Sequence, residues 1–328
     1  MAIFWVSALA LSILLYVLLD GFDLGVGILY GFARSEDRRT AMMSAVAPVW
    51  DGNETWLVVN GVILWGAFPV VYATLFSAFY LPVIVMLAGL ILRGVAFEYR
   101  SKATQSRPLW DAAFFGGSLA ASFMQGLMVG ALVEGLPVSN GEYSGGALAW
   151  LSPFAVLCGS ALCFAYSLLG ACWLIRKSQG GLQEAAYRLV SRAAAGLGLI
   201  LILVFVYSIA EHLRVMNRWL ERPYLFVFPV IGVAASIVLA RSVRKHGDRA
   251  PFLMAALGFA AAFGTFAITF WPYMIPFSVT VDQAAAPHAS LAFMFWGAGL
   301  FVLPLMLVYT AISYRVFRGK TEAAASEF

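Results

Sequence analysis

The chain alternates between long apolar stretches and short polar segments. Nine stretches are apolar over about 20 residues, the length that a helix needs to cross the hydrocarbon core of a bilayer. They cover residues 3–31, 42–68, 75–98, 111–136, 151–175, 193–213, 223–241, 251–277 and 290–315. Such long stretches indicate helices, because the strands of a membrane barrel are shorter and alternate in polarity. The pattern predicts an all-α polytopic membrane protein of nine transmembrane helices, with residues 1–328 forming one domain and no soluble domain.

The composition agrees with this prediction. Hydrophobic residues make up 62% of the chain and charged residues only 12%, whereas soluble domains carry about 25% charged residues. The mean hydropathy is +0.85. The net charge of +4 comes from basic residues in the connecting segments, so it indicates no nucleic-acid partner.

Lys and Arg residues are concentrated in every second connecting segment and in the C-terminal tail. They are Arg34, Arg38, Arg39, Arg100, Lys102, Arg107, Arg176, Lys177, Arg188, Arg192, Arg241, Arg244, Lys245, Arg249, Arg315, Arg318 and Lys320. The opposite loops, 69–74, 137–150 and 278–289, have none, and only the segment near 214–222 departs from the pattern. Because cytoplasmic loops are enriched in Lys and Arg, the sequence predicts an N-terminus outside the cell and a cytoplasmic C-terminus.

The first predicted helix carries two aspartates in the sequence LLDGFDLGVGILYG. Asp20 and Asp23 are three positions apart and therefore share a helix face. Gly21, Gly25 and Gly27 lie beside them and allow a second helix to approach closely. We therefore expect both carboxyl groups to face a neighbouring helix rather than lipid.

The second and third predicted helices carry charged residues at a similar depth. Asp51 and Glu54 lie about three turns inside the second helix, in APVWDGNETW, and Arg93 lies about two turns before the end of the third. The predicted topology brings all of these charges together in the cytoplasmic half of the membrane. Asn53 and Trp56 flank the second pair and would extend a hydrogen-bonded chain.

This charge cluster has two interpretations. A carboxylate near the bilayer centre costs about 2.5–3.5 kcal/mol on insertion scales, and one arginine cannot neutralise four of them. At least one carboxyl is therefore expected to be protonated, or to contact water or a cation, as a proton relay requires. The alternative is a polar network that only fixes helix packing.

Other chemistry has less support. There is no nucleotide loop, zinc motif or Ser/His/Asp triad, and the three cysteines form no CxxC motif. The histidines, His212, His246 and His288, lie at predicted helix ends or in loops, and the deep methionines are Met86, Met124 and Met128. A transmembrane haem protein usually needs deep His or Met ligands, and Met fills apolar gaps more often than it binds iron. The chain alone is therefore a poor candidate for holding haem.

Three weaker signals concern packing. Gln125 is expected to make an interhelical hydrogen bond, and Glu134 to lie at the membrane interface. Pro272 and Pro276 are expected to kink the eighth helix near its outer end.

The same residues carry a resemblance to a known family. The blocks DGFDLGVG, APVWDGNETWL, FPVVYATLFSAFYLP, LRGVAFEYRSK and VLPLMLVYTAISYRVFRG closely resemble subunit II of cytochrome bd-type quinol oxidases, with the cyanide-insensitive branch as the nearest fit. The resemblance covers the chain nearly end to end and is most specific in about the first hundred residues. It implies a multi-pass subunit, in the bacterial cytoplasmic (inner) membrane, of an enzyme that oxidises quinol and reduces dioxygen to water.

The resemblance also implies cofactors and partners. Subunit I of the family holds haems b and d and the quinol-oxidation loop. Subunit II holds no haem and forms a heterodimer with subunit I, often with a very small accessory subunit, which we expect to be a single helix. A structural quinone is bound by subunit II of some relatives, but the sequence assigns no residues to it.

The resemblance also implies roles for individual residues, where the family's motifs match positions of this sequence. The aspartate of the family's WDGN block is assigned to a cytoplasmic proton route, and it matches Asp51. The second aspartate of DGFD and the arginine of LRG match Asp23 and Arg93, whereas some relatives have Gln in place of Glu54. The resulting hypothesis is a proton path through Asp51, Glu54, Asp23 and Asp20, supported by Arg93, Asn53 and Trp56.

Two rival functions remain open at this point. A proton-coupled secondary transporter would also need buried carboxylates and Gly-rich helices, and it predicts broken helices in two corresponding halves. An inert assembly scaffold would use the polar cluster only for packing.

Overall fold

A computed structural model describes residues 1–139, 141–211 and 213–321, and this part of the chain is mainly helical. In chain order its elements are α1 (Ala2–Tyr30), α2 (Glu36–Val46), α3 (Trp50–Ala67), α4 (Pro69–Ala78), α5 (Tyr80–Arg100), α6 (Arg107–Glu134), β1 (Val138–Ser139), β2 (Glu142–Tyr143), α7 (Pro153–Lys177), α8 (Gly180–Ala210), α9 (Arg214–Glu221), a 3-10 turn (Pro223–Phe226), α10 (Val227–Arg244), α11 (Ala250–Phe270), β3 (Tyr273–Ile275), β4 (Val279–Thr280), α12 (Val281–Ala284), α13 (His288–Met294), a π-helical turn (Phe295–Gly299) and α14 (Val302–Val316). The strands form two small antiparallel hairpins, β1 with β2 and β3 with β4.

The helical membrane class predicted from the sequence is confirmed. Within the described residues, eight helical segments are long and apolar enough to cross a membrane, and the bent pair of α3 and α4 would raise the number to nine. Each of the nine predicted stretches overlaps one of these segments. Which end of each helix faces the cytoplasm stays a prediction from the Lys and Arg pattern.

The predicted second stretch is not one continuous helix. α2 ends at Val46 and α3 begins at Trp50, with Pro48 in the break between them. Proline disfavours a helical residue before it and has no N–H for the helix ladder. The break places Asp51 in the first turn of α3 rather than three turns inside a longer helix.

Helix α4 lies where the sequence predicted an outer loop. Phe68 has non-helical backbone angles, Pro69 begins the new helix, and the axis of α4 is bent by 120° from that of α3. Phe68 and Val71 are buried. The turn is therefore packed into the core and does not project as a free loop.

The prediction of a kinked eighth helix was wrong. α11 ends at Phe270, and the chain then forms the β3–β4 hairpin and the short helix α12. Pro272 and Pro276 remove two backbone donors, which a continued helix would have needed. Thr280 then starts α12 with a capping box to Gln283.

The predicted sixth stretch begins too late. α8 starts at Gly180, well before residue 193, because its first turns are amphipathic. Leu182, Ala186 and Val190 are buried at one-turn spacing, while polar residues occupy the other face.

Helix α1 is at the centre of the molecule and packs against α3, α6 and α7. A Cβ atom at Gly25 would lie 1.8 Å from the backbone oxygen of Tyr166, and one at Gly170 would lie 2.5 Å from the nitrogen of Val26. The close approach of α1 and α7 therefore requires glycine at both positions. The prediction that the glycines of α1 allow another helix to approach is confirmed.

Candidate functional site

Arg93 is the centre of a charge cluster buried inside the helix bundle. The buried residues of α5 recur every three or four positions, and Arg93 falls on this stripe together with Leu90 and Ala96. Its side chain is fully buried. Nη1 donates to Oδ1 of Asp20 at 2.7 Å, and Nη2 donates to Oε2 of Glu54 at 2.9 Å. One guanidinium from α5 thus links a carboxylate of α1 to a carboxylate of α3.

Asp23 joins the same cluster through an amide rather than through the arginine. Nδ2 of Asn53 donates to Oδ2 of Asp23 at 2.7 Å and to the backbone oxygen of Leu19 at 3.2 Å. Oδ1 of Asn53 accepts a hydrogen bond from the hydroxyl of Tyr314 at 2.9 Å. The two contacts determine the orientation of the amide and connect Asp23 to α14.

The cluster leaves several polar atoms without a partner among the described residues. These atoms are Oδ2 of Asp20, Oδ1 of Asp23 and Nε of Arg93. The cluster contains three carboxyl groups but only one guanidinium, which contacts two of them, and a buried polar group without a hydrogen bond is costly. Protons or water molecules on the carboxyl groups would relieve this cost.

The cluster opens at Glu54, and Asp51 lies outside it. The Glu54 side chain is 27% exposed, whereas those of Asp20 and Arg93 are fully buried. Asp51 is exposed and, within the part of the chain that the structure describes, makes no ion pair. Of the four predicted path carboxyls, the structure brings together Asp20, Asp23 and Glu54 and leaves Asp51 at the surface.

Asp51 and Glu54 nevertheless share a face of α3. They are three positions apart, so their side chains are neighbours on the helix. The exposed side of α3 continues from Asp51 through Val58, Val62 and Trp65, which are 62%, 52% and 68% exposed. Asp51 therefore lies at one end of an otherwise largely apolar outer face.

Trp56, which the sequence placed beside the cluster, points elsewhere. It is buried, and its indole nitrogen has no hydrogen-bond partner among the described residues. The ring lines an apolar cavity of about 300 Å³ between α1 and α14, together with Leu11, Leu303 and Leu307.

Sequence reasoning missed how far the polar contacts of α1 extend. The hydroxyl of Ser12 bonds to Asn60 of α3. The hydroxyl of Tyr16 accepts from Nε2 of Gln125 at 2.7 Å, and Oε1 of Gln125 accepts from Tyr166 at 2.8 Å. The predicted interhelical bond of Gln125 is confirmed. Ser12, Tyr16 and Asp20 are each four positions apart and therefore share a helix face. This spacing is the signal from which the longer polar face of α1 could have been predicted.

A second ionic cluster at the predicted cytoplasmic end was also missed. Asp111 accepts hydrogen bonds from Tyr30, from Arg39 at 2.8 Å and from Arg100 at 2.5 Å. Arg100 also pairs with Glu36 at 2.8 Å. The cluster ties α1, α2, α5 and α6 together. An acidic residue at the edge of the fourth apolar stretch was the signal that could have indicated it.

The remaining candidates lie apart from these clusters. His246 is exposed and pairs with Glu184 at 3.8 Å, His288 begins α13, and His212 is outside the described residues. Oε2 of Glu134 accepts from the hydroxyl of Ser152. Among the described residues, no group of three or more His, Cys, Asp or Glu residues could hold a metal ion.

Fold and site together define a helical membrane protein with a carboxylate–guanidinium cluster shared by its first, third and fifth helices. The chain belongs to the cytochrome bd terminal oxidase subunit II family, whose model matches residues 1–317. The predicted resemblance is thereby confirmed. Membership places the protein in the bacterial inner membrane and implies a subunit I partner within a complex.

Individual relatives agree with this assignment. The probable cytochrome oxidase subunit 2 of Haemophilus influenzae is 31% identical, over 98% of this chain and 95% of its own length. The cytochrome bd-I ubiquinol oxidase subunit 2 of Escherichia coli K12 is also 31% identical, over 94% of this chain and 92% of its own. The cytochrome bd ubiquinol oxidase subunit 2 of Bacillus subtilis is 29% identical, over 96% and 95%.

A solved structure supports the fold. A chain in the structure of the bd oxidase from Geobacillus thermodenitrificans superposes with a TM-score of 0.79, covering 96% of this chain and 98% of that chain. The sequence identity is 16%, so this likeness concerns the fold alone.

Proposed function

We propose that the chain is the non-haem subunit of a quinol:dioxygen oxidoreductase and that its charge cluster conducts protons from the cytoplasm toward the haem-bearing subunit I. The observation that carries the proposal is the contact of one buried guanidinium with two carboxylates, of which Asp20 is sealed and Glu54 is partly open. Reduction of dioxygen to water consumes protons as well as electrons. A chain of carboxyl groups that begins at the protein surface is suited to deliver these protons.

The proposed route begins at the surface of α3. Asp51 would collect protons at the cytoplasmic side, and Glu54, one turn deeper on the same face, would receive them through water. Asp20 and Asp23 would hold protons in the interior. Arg93 would limit the net charge of the cluster, because it can neutralise only some of the carboxyl groups at a time.

The haems belong, in this proposal, to subunit I. They supply the electron transfer and oxygen chemistry when bound there. The histidines of the described part of this chain, His246 and His288, lie outside the long apolar stretches and offer no deep axial ligand pair. The accessory single-helix subunit is proposed on the family resemblance alone.

A structural quinone would fit beside Trp56. The cavity there is lined mainly by apolar side chains, and the Trp56 indole N–H has no partner among the described residues, so it could donate to a quinone carbonyl. Extraction of the purified complex should recover quinone, and Trp56→Phe should reduce the amount. Equal recovery from both proteins would remove this part of the proposal.

The relay is tested with Asp51→Asn and Glu54→Gln in the complex with subunit I. Oxygen consumption with quinol should fall about a hundredfold for Asp51→Asn, the lower end of what positioned proton-transfer groups contribute. The fall for Glu54→Gln should be smaller, because some relatives of the family carry Gln at this position. Glu98→Gln is the matched control, since Glu98 is exposed at the end of α5 and pairs with no cation among the described residues.

The visible spectrum of the haems separates a relay from a scaffold. Normal haem content with reduced turnover supports the relay. Unchanged turnover in both variants contradicts it, and loss of haem indicates a structural role for these residues. The transporter alternative finds no support in the family assignment.

A further inference from the structure

A basic cavity of about 500 Å³ lies between the predicted cytoplasmic end of α1, the helix α2 and the first turns of α8. Its lining includes Arg34 after α1, Arg38 on α2, and Arg188 and Arg192 on α8. Arg188 and Arg192 are one helical turn apart and therefore share a face. The cavity is distinct from the charge cluster around Arg93 and is not used by the proposed proton route.

The four arginines have no carboxylate partner in the described part of the chain. Among the residues that the structure describes, no Asp or Glu lines the cavity. Within the described residues none of the four forms an ion pair within 4.0 Å, whereas Arg39, Arg100 and Arg107 nearby are all paired with Asp111 or Glu36. Like charges held close together repel one another. All four side chains are exposed, so an anion from outside the chain could reach them.

The rest of the lining is apolar. Leu29, Met42, Leu182 and Leu189 form much of the remaining wall, and Phe32 at its edge is 70% exposed. A small inorganic anion would leave this apolar surface uncovered. A ligand with both an anionic head and hydrocarbon chains would contact both kinds of surface.

The cavity lies at the depth of the membrane where phospholipid headgroups are found. It adjoins the end of the apolar α1 on the Lys- and Arg-rich side, which the sequence predicts to be cytoplasmic. Guanidinium groups bind phosphate through two parallel hydrogen bonds, and basic pockets between membrane helices on this side bind anionic lipid headgroups. We propose that the cavity binds the phosphodiester headgroup of an anionic phospholipid, with the acyl chains along Leu29 and Phe32.

The experiment uses the oxidase complex, delipidated in a neutral detergent and titrated with cardiolipin, phosphatidylglycerol or phosphatidylcholine. Bound lipid is counted by native mass spectrometry. The double variant Arg188→Gln/Arg192→Gln should bind the anionic lipids about 25-fold more weakly, because each basic group near a membrane surface contributes about fivefold. Arg241→Gln/Arg244→Gln removes the same charge from the end of α10, outside the cavity lining, and should bind like the unaltered protein.

Comparison of the titrations with different lipids shows which phosphate-containing ligand the cavity binds. Tighter binding of cardiolipin than of phosphatidylglycerol would show that both phosphates are recognised, and equal binding per phosphate would show a single phosphodiester site. Displacement of lipid by inorganic phosphate would indicate a site for a soluble anion and would overturn the proposal. Phosphatidylcholine binding as tightly as phosphatidylglycerol, or equal losses in the two double variants, would also overturn it.

A second cavity variant shows whether a loss of lipid binding comes from the removed charges or from misfolding. Arg34→Gln/Arg38→Gln removes two charges from the other side of the cavity and should weaken anionic lipid binding to a similar extent. An unchanged haem spectrum shows that each variant complex is assembled. If either assembled cavity variant retains full affinity for both anionic lipids, the assignment is wrong.

Discussion

The guanidinium of Arg93 donates to the carboxylate of Asp20 at 2.7 Å inside the bundle, although the two residues are 73 positions apart in the chain. Both side chains are fully buried, and the same guanidinium reaches Glu54 of α3. Three helices are thus joined by one cation. The contact is both a structural constraint and the core of the proposed proton route.

Removal of the cation should be severely destabilising. Arg93→Gln leaves Asp20 buried without its positive partner, and breaking a buried ion pair in this way costs about 3–5 kcal/mol. We expect a lower melting temperature of the complex, measured by thermal unfolding followed through haem release. Arg107→Gln is the control, because its pair with Glu36 is exposed and 3.3 Å long, and such pairs contribute about 0–1 kcal/mol.

The double variant Arg93→Gln/Asp20→Asn tests why Arg93→Gln lowers the stability of the complex. It removes both charges, so part of the lost stability should return. If the double variant is no more stable than Arg93→Gln alone, the destabilisation does not come from an unpaired Asp20.

Tyr314 is expected to position the amide of Asn53. Tyr314→Phe removes the hydrogen bond to Oδ1 of Asn53, which costs about 1 kcal/mol and lets the amide turn its oxygen toward Asp23. Oxygen consumption should fall severalfold while the haem content is unchanged. Tyr309→Phe, on the same helix but exposed, should leave both measurements unaltered. Equal turnover of the two variants would exclude a positioning role.

Two adjacent glycines of α6 should respond oppositely to alanine. A Cβ atom at Gly117 would lie 2.3 Å from the backbone oxygen of Gly89, whereas one at Gly116 would meet no atom of the described residues within 4 Å. Gly117→Ala should therefore separate α5 from α6 and cost about 1–3 kcal/mol. Gly116→Ala should stabilise the helix by about 0.5–1 kcal/mol. Melting temperatures of the two variant complexes check this, and the same sign of change in both would contradict the close approach.

The C-terminal contact should depend on pH through Asp248. The hydrogen bond from Nζ of Lys320, at 2.9 Å, and further ones from Gln183 and Tyr187 hold the pKa of Asp248 below its usual value. A lowered pKa in the folded state means that the contact is fully formed above the ordinary Asp pKa of about 3.9 and is lost as the pH falls through the lower folded-state value.

The contact between Lys320 and Asp248 can be followed by the rate at which a carboxypeptidase releases residues from the C-terminus. In the acid range, release should accelerate as the pH falls toward the folded-state pKa of Asp248, after correction for the protease's own pH dependence. Asp248→Asn keeps a hydrogen-bond acceptor but cannot titrate, so its release rate should not change over the same range. A pH-dependent rate in that variant would assign the effect to another group.

Much of the site was predictable from local patterns. Asp20, Asp23, Glu54 and Arg93 stand out because charges are rare in apolar stretches, and helical spacing places the aspartates on one face. The position of Asp51 was not predictable in this way. The chain breaks at Pro48 and a new helix begins at Trp50. The position of Asp51 within its helix therefore depends on this short turn and not on the spacing of the apolar residues.

The contacts that were missed are long-range ones. Tyr30 and Asp111 are 81 positions apart, and Tyr314 and Asn53 are 261 apart. Local sequence can mark a polar residue such as Asp111 but not its partner, because the pairing depends on which helices become neighbours. The same holds for the basic cavity, in which Arg34 follows α1 and Arg192 lies on α8.

The sequence by itself determined the helical membrane class, the family and the residue types that carry charge into the bilayer. It could do so because the cost of exposing polar groups to hydrocarbon acts on every residue separately and so leaves a local pattern. Only the tertiary structure decided which carboxyl groups meet Arg93, which one stays at the surface and where the bundle leaves a basic cavity. These outcomes depend on the packing of distant helices, which close glycine contacts and chain breaks determine together.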